Sequence, residues 1–349
     1  MTGIPDRWKD AVERHKAEQK LEEITTWFPE TMPTDAELDA LKERTAKFLF
    51  CVLPEAAAGS QDKFCERFRV LEWFVFPGAV ICAAVPWLLS GWKETRMAGT
   101  VESRHEQMRI NSAKVKQRLP HPSAEPHGGA CAIVCYGPSL LNTWVGVQGQ
   151  RKYQNAAIAT VSGAHDFMIE RGIVPDYHVE MDPREHKAAF TKAPHDKIKY
   201  LIASCAHPSL VDNLMERDLT LFHAMNGAED QAILAEIEPE GWLVNGGGSV
   251  GLRTIYVMHS LGYRRFAIFG MDHSFKSDRQ HAGPHPREWA QASIPVKCGA
   301  RVFHSSPVLM AYTKHFLMMM QEMLKDSVFD LYGDGLLQET ARLAMRKAA

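Results

Sequence analysis

The chain has 349 residues, with 40 Lys+Arg against 42 Asp+Glu, a formal charge of -2, 45% hydrophobic residues and 23% charged ones. Those fractions belong to an ordinary globular protein and exclude a disordered or fibrous chain. The balanced charge argues against nucleic acid as the primary partner, because such binders draw their affinity from basic residues that neutralise phosphates. At roughly 100–200 residues per domain, the length suggests two domains or one large one with an appendage. The seven cysteines are odd in number and form no CxxC pair, which fits neither a disulfide framework nor a structural zinc site. The opening MTGIPDRWKDAVERHK is charged and has no apolar signal core, so the expected setting is reducing and cytoplasmic.

Residues 1–118 read as a helical N-terminal region. Trp8, Val12, Leu21 and Ile24 are spaced for one helix face. Thr34-Asp35 followed by Glu37 is a helix-start signal before ELDALKERTAKFLFCVL, and the polar stretch 100–118 suits a helix. The 19 uncharged residues from Phe74 to Trp92 approach the length of a bilayer crossing. Pro77, Gly78, Pro86 and Gly91 interrupt that run, and fit better a buried helical hairpin or a surface that meets a membrane or protein partner. Residues 119–129, LPHPSAEPHGG, read as a linker.

From Ala130 the pattern changes. Short apolar runs at 130–136, 156–162, 177–182, 200–204, 219–224 and 265–272 alternate with stretches long enough for helices. Continuous apolar strands of this kind are buried on both faces, which indicates a mainly parallel sheet with helices on either side. The expected fold class is therefore α/β, a Rossmann-like doubly wound domain over 130–335 with a C-terminal helix at 336–349. Ligands in such folds sit at the carboxyl ends of the strands, so the residues just after each strand carry the functional signal.

Gly137-Pro138-Ser139 follows the first strand, and suits either a phosphate loop or a plain strand-to-helix turn. Ser162-Gly163 follows the second, at a helix start where an anion could bind. Asp182 ends the third before a strand-breaking proline, which leaves its carboxylate for Mg²⁺, ribose hydroxyls, proton transfer or its own turn. The strongest signal is Asn245-Gly246-Gly247-Gly248-Ser249 ahead of an apolar helix, a loop whose amides and helix dipole suit a phosphate. Asp272 ends the sixth strand at the same edge, so a Mg²⁺–nucleotide site with Asp182 is expected. The polar loop after it holds His281 and His285, candidates for a general base.

Together, YGPSL (136–140), TVSGAHDFMIERGIVPDYHVEMDPR (160–184) and GGGSVGLRTIYVMHSLGYRRFAIFGMDHSF (246–275) resemble the MptE-like domain family. That family is shared by archaeal-type 6-hydroxymethylpterin diphosphokinases and the motility accessory factors linked to flagellin glycosylation. The segment GSVGLRTIYVMHSLGYRRFAIFGMD is also similar to bacterial sialyltransferases that use CMP-activated sugars. The first resemblance implies diphosphate transfer from ATP·Mg²⁺ to a hydroxymethyl alcohol, with Gly137–Ser139 and Gly246–Ser249 cradling phosphates and Asp182 and Asp272 holding the metal. The second implies a CMP-activated nonulosonic (sialic-type) sugar as donor, no metal, and His281 or His285 deprotonating a small-molecule or glycan acceptor. A third expectation is a binding or assembly protein that keeps the fold without catalysis. The reading adopted is a nucleotide-dependent transferase of the diphosphokinase-like class, with glycosyl transfer as the alternative.

Overall fold

The computed structural model describes residues 49–54, 72–76, 79–84, 100–122, 125–276, 279, 281–283, 294–323 and 325–348. In the N-terminal region, β1 (Leu49–Pro54), β2 (Glu72–Phe76) and β3 (Ala79–Ala84) form an antiparallel sheet in the order β1-β3-β2. Two expectations are corrected here. The end of ELDALKERTAKFLFCVL is strand rather than helix, and the first half of the 74–92 run is a pair of strands rather than a helical hairpin. The physical reason lies in composition: Phe74, Val75, Phe76, Val80 and Ile81 are aromatic or β-branched and favour a pleated backbone over a helix. The helices expected at 7–24 and from Thr34 lie outside the described residues, as do residues 85–92. Among the described residues, no helix is long and apolar enough to cross a membrane.

Helix α1 (Val101–Lys114) starts on Thr100, whose hydroxyl accepts from the Ser103 amide. It is bound to the domain that follows. Buried Asn111 donates to the carbonyls of Ser204 and Ala206, both at 2.8 Å, and Gln107 donates to the Pro183 carbonyl. The chain then runs beside β8 (Asp218–Ala224), where Leu119 and Leu221 exchange backbone bonds with that neighbourhood. Asn111→Ala leaves two buried carbonyls without donors, at about 1–3 kcal/mol for each unsatisfied group. A lowered urea midpoint with an unchanged slope is the expected result.

The main sheet has eight strands, every neighbouring pair parallel. In chain order they are β4 (Ala130–Val134), β5 (Ala157–Val161), β6 (Tyr177–Glu180), β7 (Lys199–Ala203), β8, β9 (Leu243–Val244), β10 (Arg265–Phe269) and β13 (Val328–Tyr332). The six apolar runs became six of these strands. Their order across the sheet is β13-β10-β4-β5-β6-β7-β8-β9. A two-stranded antiparallel ribbon, β11 (Ile294–Cys298) with β12 (Arg301–Ser305), lies between β10 and β13 in the chain.

Helices cover both faces. Ala132 and Val134 of β4 pack with Leu140 and Val147 of α2 (Leu140–Gln154), whereas Cys131 and Ile133 pack with Leu252, Ile255 and Met258 of α6 (Val250–Ser260). Alternate residues of one strand thus feed opposite helix layers, which is why the sequence shows continuous apolar runs instead of a two-residue alternation. Helices α3 (Ala164–Ile169), α4 (Pro208–Leu214) and α5 (Asp230–Ile237) complete the crossovers. After β12 come α7 (Pro307–Met318) and, after β13, α8 (Leu336–Ala348).

Candidate functional site

The strand order places the site. From β4 the chain steps outward through β5 to β9, then returns by α6 to the other side of β4 as β10. The reversal point between β4 and β10 opens a crevice at their carboxyl ends, where doubly wound sheets bind ligands. Two predicted loops meet there. The Gly137 amide donates to the Gly270 carbonyl at 2.8 Å, and the Ser139 amide donates to Asp272 Oδ2 at 2.8 Å. A Cβ on Gly137 would stand 2.3 Å from the Gly270 oxygen and 2.6 Å from Asp272 Oδ2, so only glycine lets these loops cross. Pro138 carries the chain into Ser139 at the start of α2.

Two buried polar atoms in this corner, Ser139 Oγ and Asp272 Oδ1, have no partner among the described residues beyond Ser139 and Asp272 themselves. Both face Gly333, where an added Cβ would lie 2.6 Å from the first and 3.1 Å from the second. Burial pushes the Asp272 carboxyl up to about 6 against the opposing pull of the Ser139 hydrogen bonds. Buried polar atoms are paired in the great majority of native structures, and here the Ser139 hydroxyl and the Asp272 carboxylate have only each other.

The glycine-rich loop lies over the same edge. Gly246 adopts φ +130°, and its amide bonds to Asn245 Oδ1 at 2.9 Å. Ser249 caps α6 by accepting from the Leu252 amide at 3.2 Å. The amides of Gly247, Gly248 and Ser249 have no acceptor among the described residues. The first turn of α6 rests on the ends of β4 and β10, with Gly251 against Cys135 and Met271. The loop's free amides and the positive end of the helix thus lie at the carboxyl edge of the sheet, the kind of terminus that anions favour. Tyr312 of α7 closes the loop from outside, its hydroxyl donating to the Gly248 carbonyl at 3.1 Å. Replacing Gly246 with valine forces a branched side chain into a left-handed backbone and against Tyr256, 2.8 Å from the new Cβ. We expect about 1–3 kcal/mol of lost stability, visible as a lower melting temperature, together with loss of phosphate-ligand binding by calorimetry.

Next to the loop, β5 and β6 deliver a polar cluster. Ser162 has φ +49° and donates to Glu180 Oε2 at 2.7 Å. Lys187 Nζ donates to Ser162 Oγ at 3.3 Å, and lies 3.8 Å from Glu180 Oε2 and 3.6 Å from Asp182 Oδ2. Asp182 accepts from the Arg184 side chain and amide, with Nε at 2.8 Å. Burial alone would raise the Asp182 carboxyl, but the Arg184 hydrogen bonds and the Lys187 charge hold it below the usual carboxylate range. Gly163 packs under Tyr136, and Ala282 donates its amide to the Tyr136 carbonyl at 3.0 Å. His281 stacks on the Tyr136 ring at 5.9 Å, which brings it to the β4 side of the crevice. His165, by contrast, is buried between Asp166 and Tyr200 and faces no ligand. His285 lies outside the described residues.

Asp182 and Asp272, expected together at a metal, follow two strands that are not neighbours. β6 stands three strand spacings from β10, about 14 Å. Asp182 is already neutralised by Arg184 and Lys187, surroundings that repel a divalent cation. Among the described residues no group of three or more His, Cys, Asp or Glu side chains could hold a metal ion. His273, next to Asp272, is buried with φ +51°, and burial pushes its imidazole down to about 3, so it is neutral at physiological pH. The residues missed by sequence reasoning are Tyr136, Glu180, Arg184, Lys187, Tyr312 and Gly333. Only Glu180 and Arg184, flanking Asp182 at a strand end, gave a readable signal.

Residues 106–278 match the family model described as MptE-like, 6-hydroxymethylpterin diphosphokinase MptE-like. Over that segment the chain is similar to the MptE-like family. The matched span begins inside α1 and ends just past Asp272, so it contains both the glycine-rich loop and the β4–β10 crevice. The fold is also similar to the structure of the MAf glycosyltransferase from Magnetospirillum magneticum AMB-1, at a TM-score of 0.52 and 14% identity. That likeness covers 72% of this chain and 42% of the other, so this chain spans less than half the length of that protein. No curated protein matches the chain.

Proposed function

We propose that this protein is a transferase that binds a nucleotide donor in the β4–β10 crevice and passes a group from it to an alcohol acceptor. The observation that supports this reading is the set of unpaired amides at Gly247, Gly248 and Ser249 on the α6 N-terminus, at the carboxyl edge of the sheet. Within that class, metal-independent transfer of a sugar from a nucleoside-monophosphate-activated donor such as a CMP-sugar fits best. The loop amides can meet the phosphate charge that develops on the leaving group. In this scheme Asp272 Oδ1 accepts the proton of the acceptor hydroxyl, whose oxygen attacks the anomeric carbon. The carbon–oxygen bond to the phosphate breaks, and its electron pair leaves on the nucleotide. Ser162 and Gly163, with Tyr136 packed on Gly163 and His281 stacked on Tyr136, and Asn245 of the loop, stand at the same strand edge and are the residues we assign to the donor.

Diphosphate transfer from ATP to a hydroxymethyl-type alcohol is the second reading, supported by the description of the matching family. Any Mg²⁺ would then enter with ATP as part of the substrate. The two readings separate in a donor-consumption assay with chelator. Release of CMP from a CMP-activated sugar in excess EDTA supports glycosyl transfer. Consumption of ATP to AMP that stops on chelation supports diphosphate transfer, and turnover of neither donor overturns the transferase reading.

A further inference from the structure

Arg253 lies in the first turn of α6, directly behind the glycine-rich loop, and is 1% exposed. Its guanidinium donates to the Val244 carbonyl, to the Met225 carbonyl at 2.8 Å and to Asn226 Oδ1 at 3.4 Å. Its Nε has no partner among the described residues. The side chain runs under Gly246, with Cδ 3.3 Å from where a Cβ on that glycine would stand. Among the described residues no carboxylate pairs with it. After the buried Cys205 thiol, the acid that most influences it through space is Asp230, which is otherwise engaged, bonded to His105 Nε2 at 3.0 Å and to the amides of Asn226 and Gly227 at 2.7 and 3.0 Å.

A buried guanidinium without a counter-ion is costly, and one placed at the positive end of a helix is costlier still. Burial lowers its affinity for the proton to a pKa of about 10, so it keeps its charge at neutral pH. The protein thus maintains two positive features, a helix terminus and a cation, on the buried side of a loop whose free amides face outward.

We infer that Arg253 is a positioning residue whose charge acts through the Asn245–Ser249 loop to hold the phosphate of the donor. The inference rests on the proposed nucleotide site. Arg253 does not touch the reacting atoms. It fixes the carbonyl ends of β8 and β9 that launch the loop, and supplies the countercharge that a carboxylate would otherwise cancel. The ligand group this selects is a nucleoside phosphate rather than a neutral nucleoside.

The test is calorimetric titration of the full chain with CMP, cytidine, AMP and adenosine, in wild type, Arg253→Met and Arg253→Lys. Loss of the charge in Arg253→Met should weaken the nucleotide by about tenfold, the scale of one lost charged hydrogen bond, while leaving nucleoside affinity unchanged. Arg253→Lys keeps a cation but loses the fork to Val244 and Met225, so it should retain the phosphate preference even where overall affinity drops. Should Arg253→Met not fold, the lysine variant decides alone. Equal weakening of nucleotide and nucleoside in Arg253→Met, or loss of the phosphate preference in Arg253→Lys, means that Arg253 only supports the loop, and overturns the inference. Wild-type protein that binds neither nucleotide overturns the proposed function itself.

Discussion

Asp272→Asn should make the protein more stable at pH 8 and inactive. In the folded protein burial lifts this carboxyl from an ordinary 3.8 to about 6. The native state therefore holds its proton between about pH 4 and 6, where the unfolded chain has released it, and stability falls as pH rises through that window. Above pH 6 the full cost of the buried charge remains, roughly 3 kcal/mol for a shift of about two units. Asparagine keeps the shape and can still accept from the Ser139 amide, but has no charge to bury. Urea denaturation should show little difference between variant and wild type near pH 4 and the largest gain at pH 8. Donor consumption should disappear, because the amide cannot take up the acceptor proton. A variant that is less stable at pH 8 contradicts the burial argument. A stabilised variant that still turns over contradicts the base assignment alone.

Lys187→Met should be among the most damaging single substitutions outside the apolar core. Glu180 is 1% exposed and Lys187 is 7% exposed, and the lysine lies within 4 Å of both Glu180 and Asp182. Removing one partner of a buried pair leaves an uncompensated charge, at about 3–5 kcal/mol. Arg184 still answers Asp182, so the loss falls mainly on Glu180. The double variant Lys187→Met with Glu180→Gln should recover part of the stability, and a double-mutant cycle measures the coupling. Additive losses would show that the lysine does not answer Glu180.

The sheet was legible because its central strands are buried on both faces. Runs such as ACAIV and RFAIF carry no polar residue except the edge arginine, and little else accounts for a continuous apolar run between turn signals. β9, only Leu243–Val244, was too short to read, and β13, VFDLY, has an aspartate at its centre and lies at the sheet edge. The N-terminal strands were misread because helix-forming ELDALKERTAK runs directly into FLFCV, and periodicity alone did not mark the change. At the site, the loops after strands declared themselves through glycine and aspartate. What the sequence could not supply was lateral order. Nothing in the chain shows that β10 inserts beside β4, so Asp272 meets Ser139 and not Asp182. For the same reason, Lys187 in EHKAAF and Tyr312 in the middle of α7 gave no sign of standing at the ligand edge, because that depends on how distant segments pack.

The central claim is that the free amides of the glycine-rich loop bind a nucleotide phosphate. The most direct measurement is a thermal-shift comparison of CMP and ATP, each with and without Mg²⁺, on wild type and Gly246→Val. A ligand at 100 times its dissociation constant stabilises the native state by about 2.7 kcal/mol, enough to raise the melting temperature visibly. The account predicts a metal-independent rise with CMP in wild type that is absent in Gly246→Val. Stabilisation by ATP only with Mg²⁺ would move the reaction to diphosphate transfer. No rise with any nucleotide, or the same rise in Gly246→Val, would contradict a phosphate site on this loop.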